Sequence, residues 1–114
     1  MAIRTLFVTP FYEGSLGDDV LLAELAHSVR SFAAEDKAGQ GWSKAHHYPG
    51  YTSYASLNDL PVRDPSFADL KRHLDRHVQA FSKECHFDLG RKPKLDSLWV
   101  NLLRGGGGHS GHIH

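Results

Sequence analysis

Leu98-Trp99-Val100-Asn101-Leu102-Leu103-Arg104-Gly105-Gly106-Gly107-Gly108-His109-Ser110-Gly111-His112-Ile113-His114 is the stretch whose reading decides the fold. Its first part belongs to a predicted strand over Leu95 to Arg104, in which Trp99 and Asn101 share one face and Leu98, Val100 and Leu102 the other. Its end is an H-x-H. On an extended segment the His112 and His114 imidazoles point to the same side, which is how a sheet offers two neighbouring ligands to one metal ion. Such a site needs at least one more ligand from elsewhere. The other reading of the pair is a histidine-bearing flexible tail or an expression remnant. The glycines at 105 to 108 lack the lysine and following helix of a phosphate-binding loop, and read as a bend or a close backbone approach.

Composition sets the frame. The chain has 114 residues, 40% apolar and 11% aromatic, enough for one domain with a real core. Lys plus Arg and Asp plus Glu stand at 13 each, and zero formal charge argues against an electrostatic nucleic-acid or anionic-membrane binder. The single cysteine, Cys85, excludes an internal disulfide, and with no leader pattern at the start a cytoplasmic setting is expected. Nine histidines are the compositional hint of metal or proton chemistry.

Working outward from the last strand, Asp64-Pro65 supplies an N-cap and a first-turn proline. Phe67, Leu70, Leu74, Val78 and Phe81 then continue at helical spacing to about Glu84. Lys37 to Pro61 reads as an ordered, irregular, aromatic-rich segment with one short strand near Tyr51 to Leu57. Upstream, Asp18 or Asp19 caps a helix to about Glu35 whose core stripe is Leu22, Leu25, Val29 and Phe32. Ile3 to Tyr12 reads as a first strand, with Pro10 restricting it to an edge or a bend. The order is α+β, and two strands alone do not make a self-sufficient sheet, so more strands are expected to follow.

The other histidines have bland readings beside chemical ones. His73 and His77 lie i, i+4 on the second helix, a chelating spacing, but flank its apolar stripe as edge residues do. His46 and His47 are sequential, so at most one serves a given pocket. Cys85 and His86 are also neighbours and cannot face each other on a helix, which favours an inert thiol.

With these residues laid out, the chain resembles a bacterial family of 2-oxoglutarate- and Fe(II)-dependent oxygenases. The resemblance runs through Thr9-Pro10-Phe11-Tyr12, Gly41-Trp42-Ser43, Trp99-Val100-Asn101, the glycines and His112-Ile113-His114. It implies a double-stranded β-helix (jelly-roll) fold with two helices packed outside the sheet, of which 1–114 would be the N-terminal part with later strands missing. It also implies Fe(II) and 2-oxoglutarate as cofactors, with His112 as the first metal ligand and His114 in the place of the carboxylate of an H-x-D. That substitution makes the donor set cupin-like. The distal histidine and the basic residue that grips 2-oxoglutarate would lie beyond His114, so residues 1–114 alone are not expected to be a competent dioxygenase. The expected partners are a small-molecule or protein substrate, without nucleic acid or membrane, and with a homodimer allowed. The alternatives are a cupin-type protein holding another metal, and a non-catalytic binding or structural module using the Trp42 to Tyr54 aromatic surface.

Overall fold

The computed structural model describes residues 2–4, 6, 8–87 and 90–106. Helices dominate it: α1 (Asp19–Glu35), α2 (Lys37–Ala45), α3 (Leu60–Arg63) and α4 (Pro65–Glu84) surround one antiparallel pair, β1 (Gly50–Thr52) and β2 (Asn101–Leu103). The expected double-stranded β-helix is therefore corrected to a small α+β domain, predominantly helical, with a two-stranded sheet. No helix among the described residues is long and apolar enough to cross a membrane.

Capping explains where the helices begin. The Asp18 carboxylate accepts the Leu21 N–H at 2.9 Å, and Asp64 accepts the Ser66 N–H at 2.8 Å ahead of Pro65, so both predicted starts are found. The inward face of α1 is rotated from the expected stripe. Leu21 is buried and Leu22 is 51% exposed, because Leu21 rather than Leu22 shares its face with Leu25, Ser28 and Phe32. On α4 the packing concentrates in the first turn. Phe67 is 2% exposed and tilts against Phe32 with ring centroids 6.0 Å apart, whereas Leu70 and Leu74 are half-buried and Val78 is exposed. Leu21, Tyr51, Leu60 and Phe67 form the buried apolar core.

The described residues of the expected first strand, Ile3 to Tyr12, carry no strand. Ile3, Leu6, Val8 and Phe11 stand exposed there, and strand geometry exists only where a partner takes up the backbone groups. Conversely, Lys37–Ala45, expected to be irregular, is helical. Gly39 and Gly41 lower its intrinsic propensity, but tertiary fit requires the first: a Cβ at Gly39 would run into the Asp36 carboxylate, Ser56 and Tyr51. Gly50 is required in the same way by the Leu102 carbonyl across the β1–β2 pair.

Both α2 and α4 end in a Schellman turn with a histidine in the left-handed position, His47 at φ 54° and His86 at φ 57°. In the first, Tyr48 N–H donates to Ser43 O at 2.8 Å and His47 N–H to Lys44 O at 3.2 Å. In the second, Phe87 N–H donates to Ser82 O at 3.0 Å and His86 N–H to Lys83 O at 3.1 Å. Glycine fills this conformation without the Cβ clash. His86→Gly is accordingly expected to raise the unfolding free energy by about 0.5–1 kcal/mol. Urea denaturation of the two proteins at matched m-value reads the change, and a destabilised variant would mean that the His86 ring carries packing energy.

Candidate functional site

The predicted ligands His112 and His114, and His109 beside them, lie outside the described residues. The strand that leads to them is described, and it is firmly held. Leu98 N–H donates to Asn58 O at 2.8 Å, Ser53 N–H to Val100 O at 3.0 Å and Arg104 N–H to Pro49 O at 3.1 Å, with Gly50, Tyr51 and Thr52 opposite Leu103, Leu102 and Asn101 in between. The expected run from Leu98 to Arg104 is thus zipped along Pro49 to Leu60, although only Asn101–Leu103 has full ladder pairing. The extended run ends in a turn at Gly105 and Gly106, the latter at φ +80°, a conformation that glycine takes without strain.

Side chains lock this register. The Thr52 hydroxyl donates to Asn101 Oδ1 at 2.6 Å and the Ser53 hydroxyl oxygen accepts the Val100 N–H at 3.0 Å. Thr52 and Ser53 are buried polar residues, 3% and 0% exposed, and leaving their partners unsatisfied in such a place is costly. Ser43 completes the chain: its hydroxyl donates to Gly39 O and accepts the Thr52 N–H, tying α2 to β1.

Asp36 is the second fixed point. Lying between α1 and α2, it accepts Gly39 N–H at 3.1 Å, Tyr51 O–H at 2.7 Å and Ser56 O–H at 2.5 Å, while its own N–H donates to Phe32 O. Burial alone would raise its pKa, but the bonds from Ser56, Tyr51 and Gly39 outweigh that and hold it below the ordinary carboxylate value. The same pair acts oppositely on Tyr51, whose pKa is raised first by burial and then by the neighbouring carboxylate.

Asp36→Ala should therefore cost about 2 kcal/mol, the sum of a lost cap and two orphaned hydroxyls less their partial resolvation. The contribution has a definite pH course. A carboxylate with its folded pKa depressed stabilises fully above its unfolded value near 3.8, and the benefit is lost as pH falls through the lower folded value. Wild type and Asp36→Ala should thus differ more in denaturant midpoint at pH 7 than at pH 3. An equal difference at both would show that the carboxylate charge is not what holds the junction.

The remaining histidines are placed clearly. His46 lies flat on Trp42, ring centroids 4.0 Å apart at 16°, and its Nδ1–H donates to Trp42 O. Tyr54 and Trp99 extend this strip with centroids 5.1 Å apart, and Tyr54 meets Trp42 at 6.0 Å. His47 lines a groove between α2 and the β1–β2 pair that His46 does not reach. His77 accepts from Tyr12 O–H at 2.6 Å and donates to Ser15 O at 3.2 Å, while His73 accepts from Arg76, so the i, i+4 pair is engaged in separate contacts. Cys85 is half-buried at the end of α4. Among the described residues no group of three or more His, Cys, Asp or Glu side chains could hold a metal ion.

What the sequence reading missed are Asp36, Thr52 and Ser53. The signal for Asp36 was present, since an Asp three residues before Gly39 is an N-cap pattern. Nothing local distinguishes Thr52 and Ser53 from turn residues, because their roles depend on a strand nearly fifty positions away. No protein-family model matches the chain, and no curated protein is significantly similar to it.

Proposed function

We propose that the protein is an Fe(II)- and 2-oxoglutarate-dependent oxygenase of the hydroxylase type, acting on an unknown substrate, to which this chain contributes His112 and His114 as two metal ligands. The observation that supports it is the latching of Leu98 to Arg104 on β1 by Thr52 and Ser53. This anchors the segment immediately before the glycines and the H-x-H at both backbone and side-chain level. Two neutral imidazoles suit a divalent first-row metal. When bound, Fe(II) would activate dioxygen, the oxidant, with one oxygen atom going to the hydroxylated substrate and the other to the succinate left when 2-oxoglutarate loses carbon dioxide. The chain's own contribution is to fix the register of the strand from which the segment carrying the ligands departs, since one residue of slippage would reverse every side chain of that strand. The reading carries with it a cytoplasmic setting, in which the lone thiol of Cys85 stays reduced.

A second reading is favoured by the contiguous rings of Trp42, His46, Tyr54 and Trp99, which give a non-catalytic binding module a ready contact surface. Metal content separates the two. The full-length protein, titrated anaerobically with Fe(II), should take up one ion per chain, and absence of saturable uptake would leave the module.

A further inference from the structure

A groove of roughly 1000 Å³ opens between α2 and the β1–β2 pair, and its charge is one-sided. Lys44 from the last turn of α2, His47 from the Schellman turn and Arg104 just after β2 line it, and among the described residues no Asp or Glu does. The whole chain carries zero formal charge, so this is segregation and not general basicity. Ion pairing does not consume it: among the described residues the salt bridges engage Arg63, Lys71 and Arg72, and neither Lys44 nor Arg104. Asp36, which accepts from the lining residue Tyr51, does not line the groove, and its oxygens are already taken by Tyr51, Ser56 and Gly39. Leu102 and Leu103 add aliphatic surface to the same lining.

We propose that this groove binds a phosphoryl group carried on a small organic molecule, with Lys44, His47 and Arg104 as its donors. Three cationic or N–H-bearing side chains from two segments, Lys44 and His47 at the C-terminal end of α2 and Arg104 just after β2, suit a group with several charged oxygens, whereas a carboxylate is satisfied by one arginine fork. The size lies at the upper end for small-molecule sites, leaving room for an organic body along Leu102 and Leu103. His47 fits this role by its backbone as well: it holds a left-handed conformation that puts an imidazole, where glycine would put nothing, at the lip of the groove. The competing explanation of Lys44 is simple complementation of the α2 dipole, and that explanation assigns nothing to Arg104. The inference stands apart from the oxygenase reading, since none of its residues is a proposed metal ligand.

The test is a pyrophosphate titration of the full-length protein, followed by amide chemical shifts, with Lys44→Gln, Arg104→Gln and Lys92→Gln variants. Lys92 lies in a different groove with Lys83 and Arg91, and serves as the control for unspecific attraction. Saturable shifts confined to residues near Gln40 to Tyr51 and Leu102 to Arg104 are expected, with affinity falling about five- to tenfold in each of the first two variants and unchanged in Lys92→Gln. All three substitutions are at exposed positions, and an unaltered thermal midpoint confirms intact folding. No saturable shift, or equal weakening by Lys92→Gln, overturns the proposal. Malonate binding at these residues more tightly than pyrophosphate overturns the phosphoryl assignment.

Discussion

Truncation of Phe67 to alanine is expected to lower the unfolding free energy by about 3–5 kcal/mol, the range for removing a fully buried aromatic side chain. The size follows from its place. Phe67 is 2% exposed, opens α4 beside the Asp64 cap, and packs on Phe32 of α1, so it joins the two longest helices. Few residues share this load: among the described residues the buried apolar set is Leu21, Tyr51, Leu60 and Phe67. With so small a core, neighbouring side chains have little freedom to collapse into the space left behind. Chemical denaturation with a common m-value reads the loss, and Val78→Ala, at a position 45% exposed, should cost far less. A loss below about 1 kcal/mol for Phe67→Ala would mean that the α1–α4 contact is not the centre of the core.

The second large effect concerns the metal ligands. His112→Ala in the full-length protein should abolish saturable Fe(II) uptake, since a pair reduced to one imidazole loses its chelation. His109 stands an odd number of residues from both His112 and His114, so on an extended segment it faces away, and His109→Ala should leave most of the affinity. Neutral imidazole is the binding form. Affinity should therefore weaken as pH falls through about 6.5, where protons compete with the ion. Equal loss from His109→Ala and His112→Ala would show that a different histidine set holds it. The turn at Gly105 and Gly106 makes the comparison informative, because it already ends the extended run that begins at Leu98.

Helix starts were legible because their determinants are local: Asp18 and Asp64 each accept an N–H two or three residues on. The run from Leu98 to Arg104 was legible as extended for the same reason, its alternation being written in consecutive residues. What failed were elements decided at a distance. Ile3 to Tyr12 has a strand's composition, yet none of its described residues joins a strand. Lys37–Ala45 has two glycines against it and folds as a helix because Asp36 caps it, while Gly39 gives Tyr51 and Ser56 room to close on that carboxylate. The jelly roll failed with the first strand, since it was an implication of family resemblance and not of any pairing these residues make. At the site, the adjacency of His46 and His47 said only that the two could not share one pocket, and the Thr52–Asn101 and Ser53–Val100 locks had no local mark.

The oxygenase reading stands or falls on one reaction, the oxygen-dependent decarboxylation of 2-oxoglutarate to succinate and carbon dioxide. Succinate release by the full-length protein, supplied with Fe(II), 2-oxoglutarate and oxygen, is the measurement. Formation of succinate that requires both Fe(II) and oxygen, and that disappears in His112→Ala while persisting in His109→Ala, is the predicted result. Wild-type protein that holds Fe(II) yet forms no succinate, or a His112→Ala variant that forms it as fast as wild type, would contradict the account.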